Sequence, residues 1–141
     1  RTGFDSRLLE LEITESSLVQ DIDQTMATLR RLRDMGLAVA IDDFGTGYSS
    51  LAYLKHFPLG ALKIDQSFIR GIPTDPSDIA ITTTIISMAQ SLNLKVIAEG
   101  VETLQQLNFI LGLRCDEYQG YYFSKPVPSA EYLELLQRHK R

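Results

Sequence analysis

Five acidic residues stand at or near the ends of apolar segments of this sequence: Glu12, Asp42, Asp43, Asp65 and Glu99. Carboxylates that converge without a counter-charge repel one another and raise each other's pKa. A divalent cation removes that repulsion, and oxygen ligands without a histidine or cysteine cluster favour Mg²⁺ or Mn²⁺, with Ca²⁺ possible, over zinc. The pattern therefore predicts a metal site, although each acid taken alone could be a solvated loop or helix-cap residue.

A lysine lies inside one of these apolar segments, because Lys63 belongs to the stretch ALKID at residues 61–65. Burying its ammonium without an anion would be costly. We therefore predict that the Lys63 ammonium faces the acid cluster, where it could hold a water molecule or stabilise a developing oxyanion. The alternative is a lysine whose aliphatic stem is buried and whose charge reaches solvent.

Two other segments have features that could bind a substrate. Gly45-Thr46-Gly47 suggests a dinucleotide-binding loop, but Asp42 and Asp43 directly before it would repel a phosphate, so we reject that interpretation. Gln119 precedes three aromatic residues at 121–123, and such a group could hold a flat base by stacking and hydrogen bonding. Core packing is the alternative for the two tyrosines.

Strand-like and helix-like segments alternate along the chain and place the acids at strand ends. Strand patterns cover residues 8–14, 37–41, 61–64, 94–98 and 116–120, and helical patterns cover residues 21–35, 48–56, 77–92, 103–112 and 129–137. Consecutive units of this kind predict an α/β fold with a parallel sheet and right-handed crossovers. Either an open doubly wound sheet or part of a (β/α)₈ barrel fits, and both gather functional groups where strands end.

Composition limits the classes of partner. The 141 residues include 14 Lys and Arg against 18 Asp and Glu, a formal net charge of −4, so we expect no binding to DNA or RNA. No apolar run approaches the roughly 18 residues of a membrane span, so we expect no membrane insertion by this segment. The single cysteine, Cys115, is predicted to be buried and agrees with a reducing cytoplasm. The first residue is Arg1, and we expect a piece of a longer chain.

Taken in order, the motifs resemble the EAL domain family, bacterial phosphodiesterases that cleave cyclic di-GMP to linear pGpG. The matching segments are LEITE at 11–15, DDFGTGYSSL at 42–51, KID at 63–65, EGVE at 99–102 and QGYYF at 119–123. The resemblance implies a TIM-like (β/α) barrel, with residues 1–141 as the C-terminal section of about five βα units. The signature Glu-Ala-Leu, a phosphate-binding arginine and a metal-ligand asparagine are expected before Arg1.

The resemblance also implies roles for the residues. Glu12, Asp42 and Asp43 resemble the ligands of a two-metal site for Mg²⁺ or Mn²⁺, with Asp42 as the bridge and Ca²⁺ as an inhibitor. Lys63 and Glu99 resemble the catalytic pair that positions and deprotonates the attacking water. The other implied positions support the substrate or anchor the loop that begins at Asp42: Gln119, Glu102, Asp65 and Phe123 for support, and Glu15 and Thr14 for the anchor.

The sequence also leads to expectations about binding partners and leaves two alternative functions open. The resemblance implies cyclic di-GMP as ligand and sensory or GGDEF-type domains upstream, while an open barrel section implies a homodimer or swapped oligomer. These 141 residues alone are expected to be slow or inactive. Two other functions stay open, namely a receptor that binds cyclic di-GMP without cleaving it and a protein-interaction module.

Overall fold

A parallel five-stranded sheet organises the chain in the computed structural model, which describes residues 3–18, 21–47 and 54–139. The strands are β1 (Glu10–Thr14), β2 (Ala38–Phe44), β3 (Ala61–Ile64), β4 (Lys95–Ala98) and β5 (Glu117–Tyr118), and they pair in sequence order. The helices are α1 (Ile22–Asp34), α2 (Gln66–Arg70), α3 (Pro76–Ser91), α4 (Leu104–Gly112) and α5 (Ser129–His139). This arrangement confirms the predicted section of a TIM-like barrel.

Polar caps fix the starts of the helices that connect the strands. The Asp21 side chain accepts a hydrogen bond from the Gln24 N–H and starts α1, while Asp75 does the same for Ser77 and Asp78 at α3. Caps of this type contribute about 1 kcal/mol each. A capping box between Thr103 and Gln106 starts α4, and the predicted end of this helix at Gly112 is confirmed. Within the described residues, no helix has the length and apolar character needed to cross a membrane.

The two faces of the sheet have different roles because neighbouring strand residues point to opposite sides. One face packs against the helices in the main core, which includes Val39, Ile41, Leu62, Ile64, Val96, Leu29, Ile86 and Ile110. On the opposite face, Ala40, Ala61 and Ile97 form a small second cluster. Two residues after Ala40, Ala61 and Ile97, the chain carries polar side chains at Asp42, Lys63 and Glu99. The candidate site lies there.

Several predicted boundaries were wrong, and capping groups explain two of the differences. A 3₁₀ turn at Ser6–Leu8, capped by Asp5, delays β1 to Glu10 instead of residue 8. The helix α2 was not predicted; it begins because the Asp65 side chain accepts a hydrogen bond from the Ser67 N–H. β5 is shorter than the predicted 116–120. Most of the predicted helix at 48–56 lies outside the described residues.

Cys115 is buried, as predicted, with 8% of its surface exposed. Its Sγ lies 3.4 Å from the Val96 carbonyl oxygen and 3.2 Å from that of Glu117. Burial raises the pKa of the Cys115 thiol to about 11, so the thiol stays protonated at neutral pH. The residue therefore packs between β4 and β5 as a small apolar group.

Candidate metal centre and active site

Lys63 lies at the centre of the acidic cluster. Its Nζ is 2.6 Å from Glu12 Oε1, 2.7 Å from Glu99 Oε1 and 3.5 Å from Asp42 Oδ1. Glu12, Asp42 and Lys63 lie in β1, β2 and β3, and Glu99 directly follows β4; these four strands are neighbours in the sheet. The Lys63 side chain is only 5% exposed. The ammonium therefore faces the acids, and the alternative of a solvent-reaching lysine is wrong.

Burial and ion pairing act in opposite directions on the charges of this cluster. Burial lowers the pKa of Lys63, but hydrogen bonds to Glu12 and Glu99 outweigh it, so the pKa lies above its ordinary value. Burial raises the pKa of Glu99, and the Lys63 ammonium offsets only part of that rise. Lys63 is thus positively charged at neutral pH and cannot accept a proton from water.

A break in the regular strand brings two adjacent acids to one site. The predicted strand ended at residue 41, whereas β2 continues to Phe44 with a register shift between Ile41 and Phe44. Asp43 has a left-handed backbone with φ of 55°. In a regular strand Asp42 and Asp43 would point to opposite faces. The irregularity instead lets both carboxylates face the same site.

Carboxylate oxygens of Asp42, Asp43 and Glu99 lie within 4.8 Å of one another, close enough to share a metal ion. Three hard oxygen donors fit Mg²⁺, Mn²⁺ or Ca²⁺ better than softer metals. The prediction named Glu12 with Asp42 and Asp43, whereas the compact group contains Glu99 and Glu12 is held by Lys63. Burial raises the pKa of Asp43, and the charges of Asp42 and Asp65 raise it further, which places Asp65 beside the group.

Glu15 holds the glycine loop that follows β2. Its Oε2 accepts hydrogen bonds from the Gly45 N–H at 3.0 Å and from the Gly47 N–H at 3.1 Å, and the residue is 3% exposed. Thr14, the other residue predicted to anchor this loop, shares a hydrogen bond with Ser17 in the described structure. The difference follows from burial, because Thr14 at the end of β1 is exposed while Glu15, the first residue of the 3₁₀ turn that follows, is buried.

We expect Glu15→Ala to lower the free energy of unfolding by about 2–3 kcal/mol, because two backbone donors lose a charged acceptor in a buried place. Urea denaturation followed by circular dichroism measures the change. Glu15→Gln, which keeps an acceptor oxygen, should lose less. Glu10→Ala, an exposed glutamate on β1, is the matched control and should change stability by less than about 0.5 kcal/mol. Equal losses for Ala at positions 10 and 15 would contradict the anchoring role.

A cleft of about 680 Å³ opens beside the acidic cluster. Gln119 connects the two, because its Nε2 donates a 2.6 Å hydrogen bond to the Glu99 oxygen that Lys63 also holds. The predicted supporting residues Glu102 and Phe123 line the same cleft, and the Phe123 ring also contacts His139 of α5 at 4.7 Å. The cleft therefore contains every predicted supporting residue except Asp65, which lies next to Asp43.

Backbone packing requires glycine at two positions of the cleft. Gly100 has φ of 71°, and a Cβ there would lie 2.6 Å from the Gln66 Cβ. A Cβ on Gly120 would overlap the Val101 backbone, whose N–H donates to the Gln119 carbonyl and whose carbonyl accepts from the Tyr122 N–H. These contacts hold the segment after β5 against the end of β4. The position of Gln119 beside Glu99 follows from them.

Sequence reasoning missed several residues that line the cleft. Gln66, Lys125, Tyr132 and Leu135 all contribute to it. The available signal for Lys125 was a basic residue two positions after an aromatic run that was itself identified as a possible base-binding group. Tyr132 and Leu135 gave no such signal, because their spacing on α5 is also that of ordinary helix packing.

Comparison with known sequences and structures places this arrangement among related proteins. The sequence model of the EAL domain matches residues 1–126. The chain is 53% identical over 140 residues to the cyclic di-GMP phosphodiesterase NbdA of Pseudomonas aeruginosa. The aligned region covers 99% of this chain and 18% of NbdA.

Two solved structures are similar in fold as well as sequence. The PaMucR phosphodiesterase in complex with c-di-GMP shares 43% identity and a TM-score of 0.88, over 92% of this chain and 52% of that chain. Klebsiella pneumoniae BlrP1 in its manganese and cyclic di-GMP complex shares 34% identity and a TM-score of 0.80, over 88% of this chain and 32% of that chain. The chain thus spans about half or less of these relatives.

Proposed function

The chain belongs to the EAL domain family, and we propose from this premise that its site serves the hydrolysis of cyclic di-GMP to linear pGpG. The observation that carries the proposal is the convergence of Lys63, Asp42 and Glu99 at the edge of a cleft. The names of two relatives, a cyclic di-GMP phosphodiesterase and a phosphodiesterase complexed with c-di-GMP, support the choice of substrate.

The donor set supports a divalent metal, and we propose Mg²⁺ or Mn²⁺ bound by Asp42 and Asp43, with Glu12 as a further ligand. The carboxylate oxygens fit such ions in type and in spacing. Bound metal ions would neutralise charge on the phosphodiester and lower the pKa of a coordinated water. The manganese and calcium complexes of BlrP1 agree with divalent ions in this family. We keep Ca²⁺ as the expected inhibitor.

Glu99 is the proposed proton acceptor and Lys63 the proposed charge stabiliser. Lys63 and Gln119 both contact Glu99 Oε1, so they fix the orientation of the carboxylate. The hydrogen bond from Gln119 and the ion pair with Lys63 both use Oε1, and we assign the proton from water to the other oxygen, Oε2. The resulting hydroxide forms a bond to phosphorus while the bond from phosphorus to the 3′ oxygen breaks, and the 3′ oxygen leaves as an alkoxide that takes a proton from solvent. The Lys63 ammonium stabilises the negative charge that develops.

The remaining site residues receive supporting roles in the proposal. Gln119 positions Glu99, while Glu102 and Phe123 line the cleft that would hold the dinucleotide. Asp65 adds negative charge beside Asp43, which strengthens the attraction for a cation. Glu15 keeps the loop that carries Gly45 and Gly47 beside the acids. Thr14 keeps no separate role.

The test uses the full-length protein that carries this sequence. Incubation with cyclic di-GMP and Mg²⁺ or Mn²⁺ should yield pGpG by liquid chromatography, and chelation with EDTA should stop the reaction. Calorimetry with cyclic di-GMP separates the alternatives: tight binding without turnover favours a receptor, and absence of both favours a protein-interaction module. Either result would overturn the proposal. The 141-residue chain alone should turn over slowly or not at all.

We propose that the chain associates through the open edges of its sheet. In the described structure β1 pairs only with β2 and β5 only with β4, and Leu8 and Leu9 beside β1 are exposed. Unpaired parallel edges with adjacent apolar surface favour pairing with another chain. The isolated 141-residue chain is therefore expected to give a dimer or swapped oligomer in light scattering at micromolar concentration. A monodisperse monomer would contradict this.

Sensory or GGDEF-type domains are proposed to accompany this segment in the whole protein. The relative MucR of Pseudomonas aeruginosa is named a bifunctional diguanylate cyclase and cyclic di-GMP phosphodiesterase, and this chain covers 19% of it. Such a partner domain would link synthesis and hydrolysis of the same messenger.

A further inference from the structure

The charge of the cleft does not match the charge of the proposed substrate. Its lining includes two carboxylates, Glu99 and Glu102, and one basic side chain, Lys125. Cyclic di-GMP carries two phosphodiester anions, so an acidic cleft repels it away from any metal. A basic group in the lining has a specific task under these conditions, because it can compensate a phosphate charge that lies outside the acid cluster.

Among the described residues that line the cleft, Lys125 is the basic residue and is available for that task. Lys63 is already occupied by three carboxylates, and Lys95 forms an ion pair with Glu117 at 3.1 Å. Among the described residues no carboxylate lies within ion-pair distance of Lys125. Its Nζ lies instead 5.6 Å from the centre of the Tyr121 ring, which also lines the cleft. A cation over an aromatic face keeps its charge available to an anion on its other side.

The backbone around Lys125 holds it at the cleft. The N–H groups of Phe123 and Ser124 both donate to the Gly120 carbonyl, at 3.1 and 3.3 Å. The Ser124 hydroxyl donates to the Lys125 carbonyl at 2.8 Å. Gly120 is in turn packed against the Val101 backbone, so the loop is tied to the strand end that presents Glu99. Lys125 thus lies in a turn that these hydrogen bonds hold in place at the cleft.

We infer that Lys125 binds a phosphate oxygen of the dinucleotide substrate and thereby sets substrate affinity, with Tyr121 as the residue that positions its ammonium. This inference rests on the proposed function. Lysine binds phosphate as a point charge, and arginine can replace it where the geometry allows. Lys125 makes no contact with Lys63 or Asp42 in the described structure, so we expect it to affect substrate affinity more than the chemical step.

The experiment compares Lys125→Met, Lys125→Arg and Lys95→Met in the full-length protein. Lys125→Met should raise KM for cyclic di-GMP about 10-fold, with kcat within about twofold, because one charge-assisted contact is lost. Lys125→Arg should stay within about threefold of wild type, since the charge remains. Lys95→Met, which removes a lysine outside the cleft, should leave KM unchanged. An unchanged KM for Lys125→Met in an active enzyme would overturn the inference alone.

Competition identifies the group that Lys125 contacts. The inhibition constant of pGpG should rise in Lys125→Met, whereas that of guanosine, which has the base without a phosphate, should not. A parallel rise for guanosine would assign Lys125 to the base and overturn phosphate binding. If wild type binds cyclic di-GMP without turnover, the proposed hydrolysis fails, and the same comparison is made with calorimetric Kd values. If wild type does neither, both proposals fall.

Discussion

Replacing Lys63 with methionine is expected to lower kcat for cyclic di-GMP hydrolysis by about 10³-fold, because charge stabilisation and proton transfer each contribute effects of that order. Lys63 contacts Glu12, Asp42 and Glu99 with one buried ammonium. Methionine fills a similar volume but leaves those carboxylates without their counter-charge. Glu99 also loses one of the two groups that orient it. The variant therefore loses both the orientation of the proton acceptor and the stabilisation of the developing negative charge. Steady-state kinetics with Mg²⁺ measures the loss.

The control for this variant has to separate catalysis from folding. Lys95→Met removes an exposed lysine whose only described ion pair is with Glu117, and it should retain wild-type kcat. Circular dichroism should show that Lys63→Met keeps its helical content, since the helix-facing core does not include position 63. Lys63→Arg should not restore activity, because the larger guanidinium has no room at a 5% exposed position. Wild-type kcat in Lys63→Met would contradict the proposed site.

Strand periodicity made much of this site predictable. Alternation fixes which side chains share a face, so Lys63 on a fully apolar strand had to meet either the helices or the opposite face. The energetic cost of burying an unpaired ammonium then selected the acids as its neighbours. The predicted strands at 94–98 and 116–120 placed Glu99 and Gln119 near strand ends, and the pairing of β4 with β5 brings them within a 2.6 Å hydrogen bond.

What could not be predicted depends on local backbone departures and on contacts between distant residues. The extension of β2 through Asp43 needs a register shift and a positive φ, and nothing in the periodicity signals either. The helix α2 is only five residues long, below the length at which periodicity is informative. Thr14 and Glu15 are adjacent, and only the three-dimensional position of the Gly45 N–H decides that Glu15 binds the loop.

Asp42 takes part in several contacts of the candidate centre. Its Oδ1 accepts the Asp43 N–H at 3.0 Å and lies 3.5 Å from Lys63 Nζ. It also belongs to the group of carboxylates that could hold a cation with Asp43 and Glu99. A residue with these contacts should matter for metal binding and for the conformation of β2. Asparagine separates the two roles, because its carbonyl oxygen can still accept the Asp43 N–H while the negative charge is lost.

We therefore expect Asp42→Asn to keep the fold while lowering kcat by about 10³-fold and weakening Mn²⁺ binding by about 100-fold, as loss of a charged ligand reduces the cation's hold on the site. Calorimetric titration with Mn²⁺ and kinetics on cyclic di-GMP measure the two effects, and thermal denaturation checks the fold. Asp34→Asn, an exposed carboxylate at the end of α1, is the matched control and should change neither quantity. Undiminished Mn²⁺ affinity in Asp42→Asn would show that Asp42 does not ligate the metal. Loss of the folded state would instead assign its main role to the charge that Asp42 presents to Lys63, in contradiction of the metal-centre proposal for this residue.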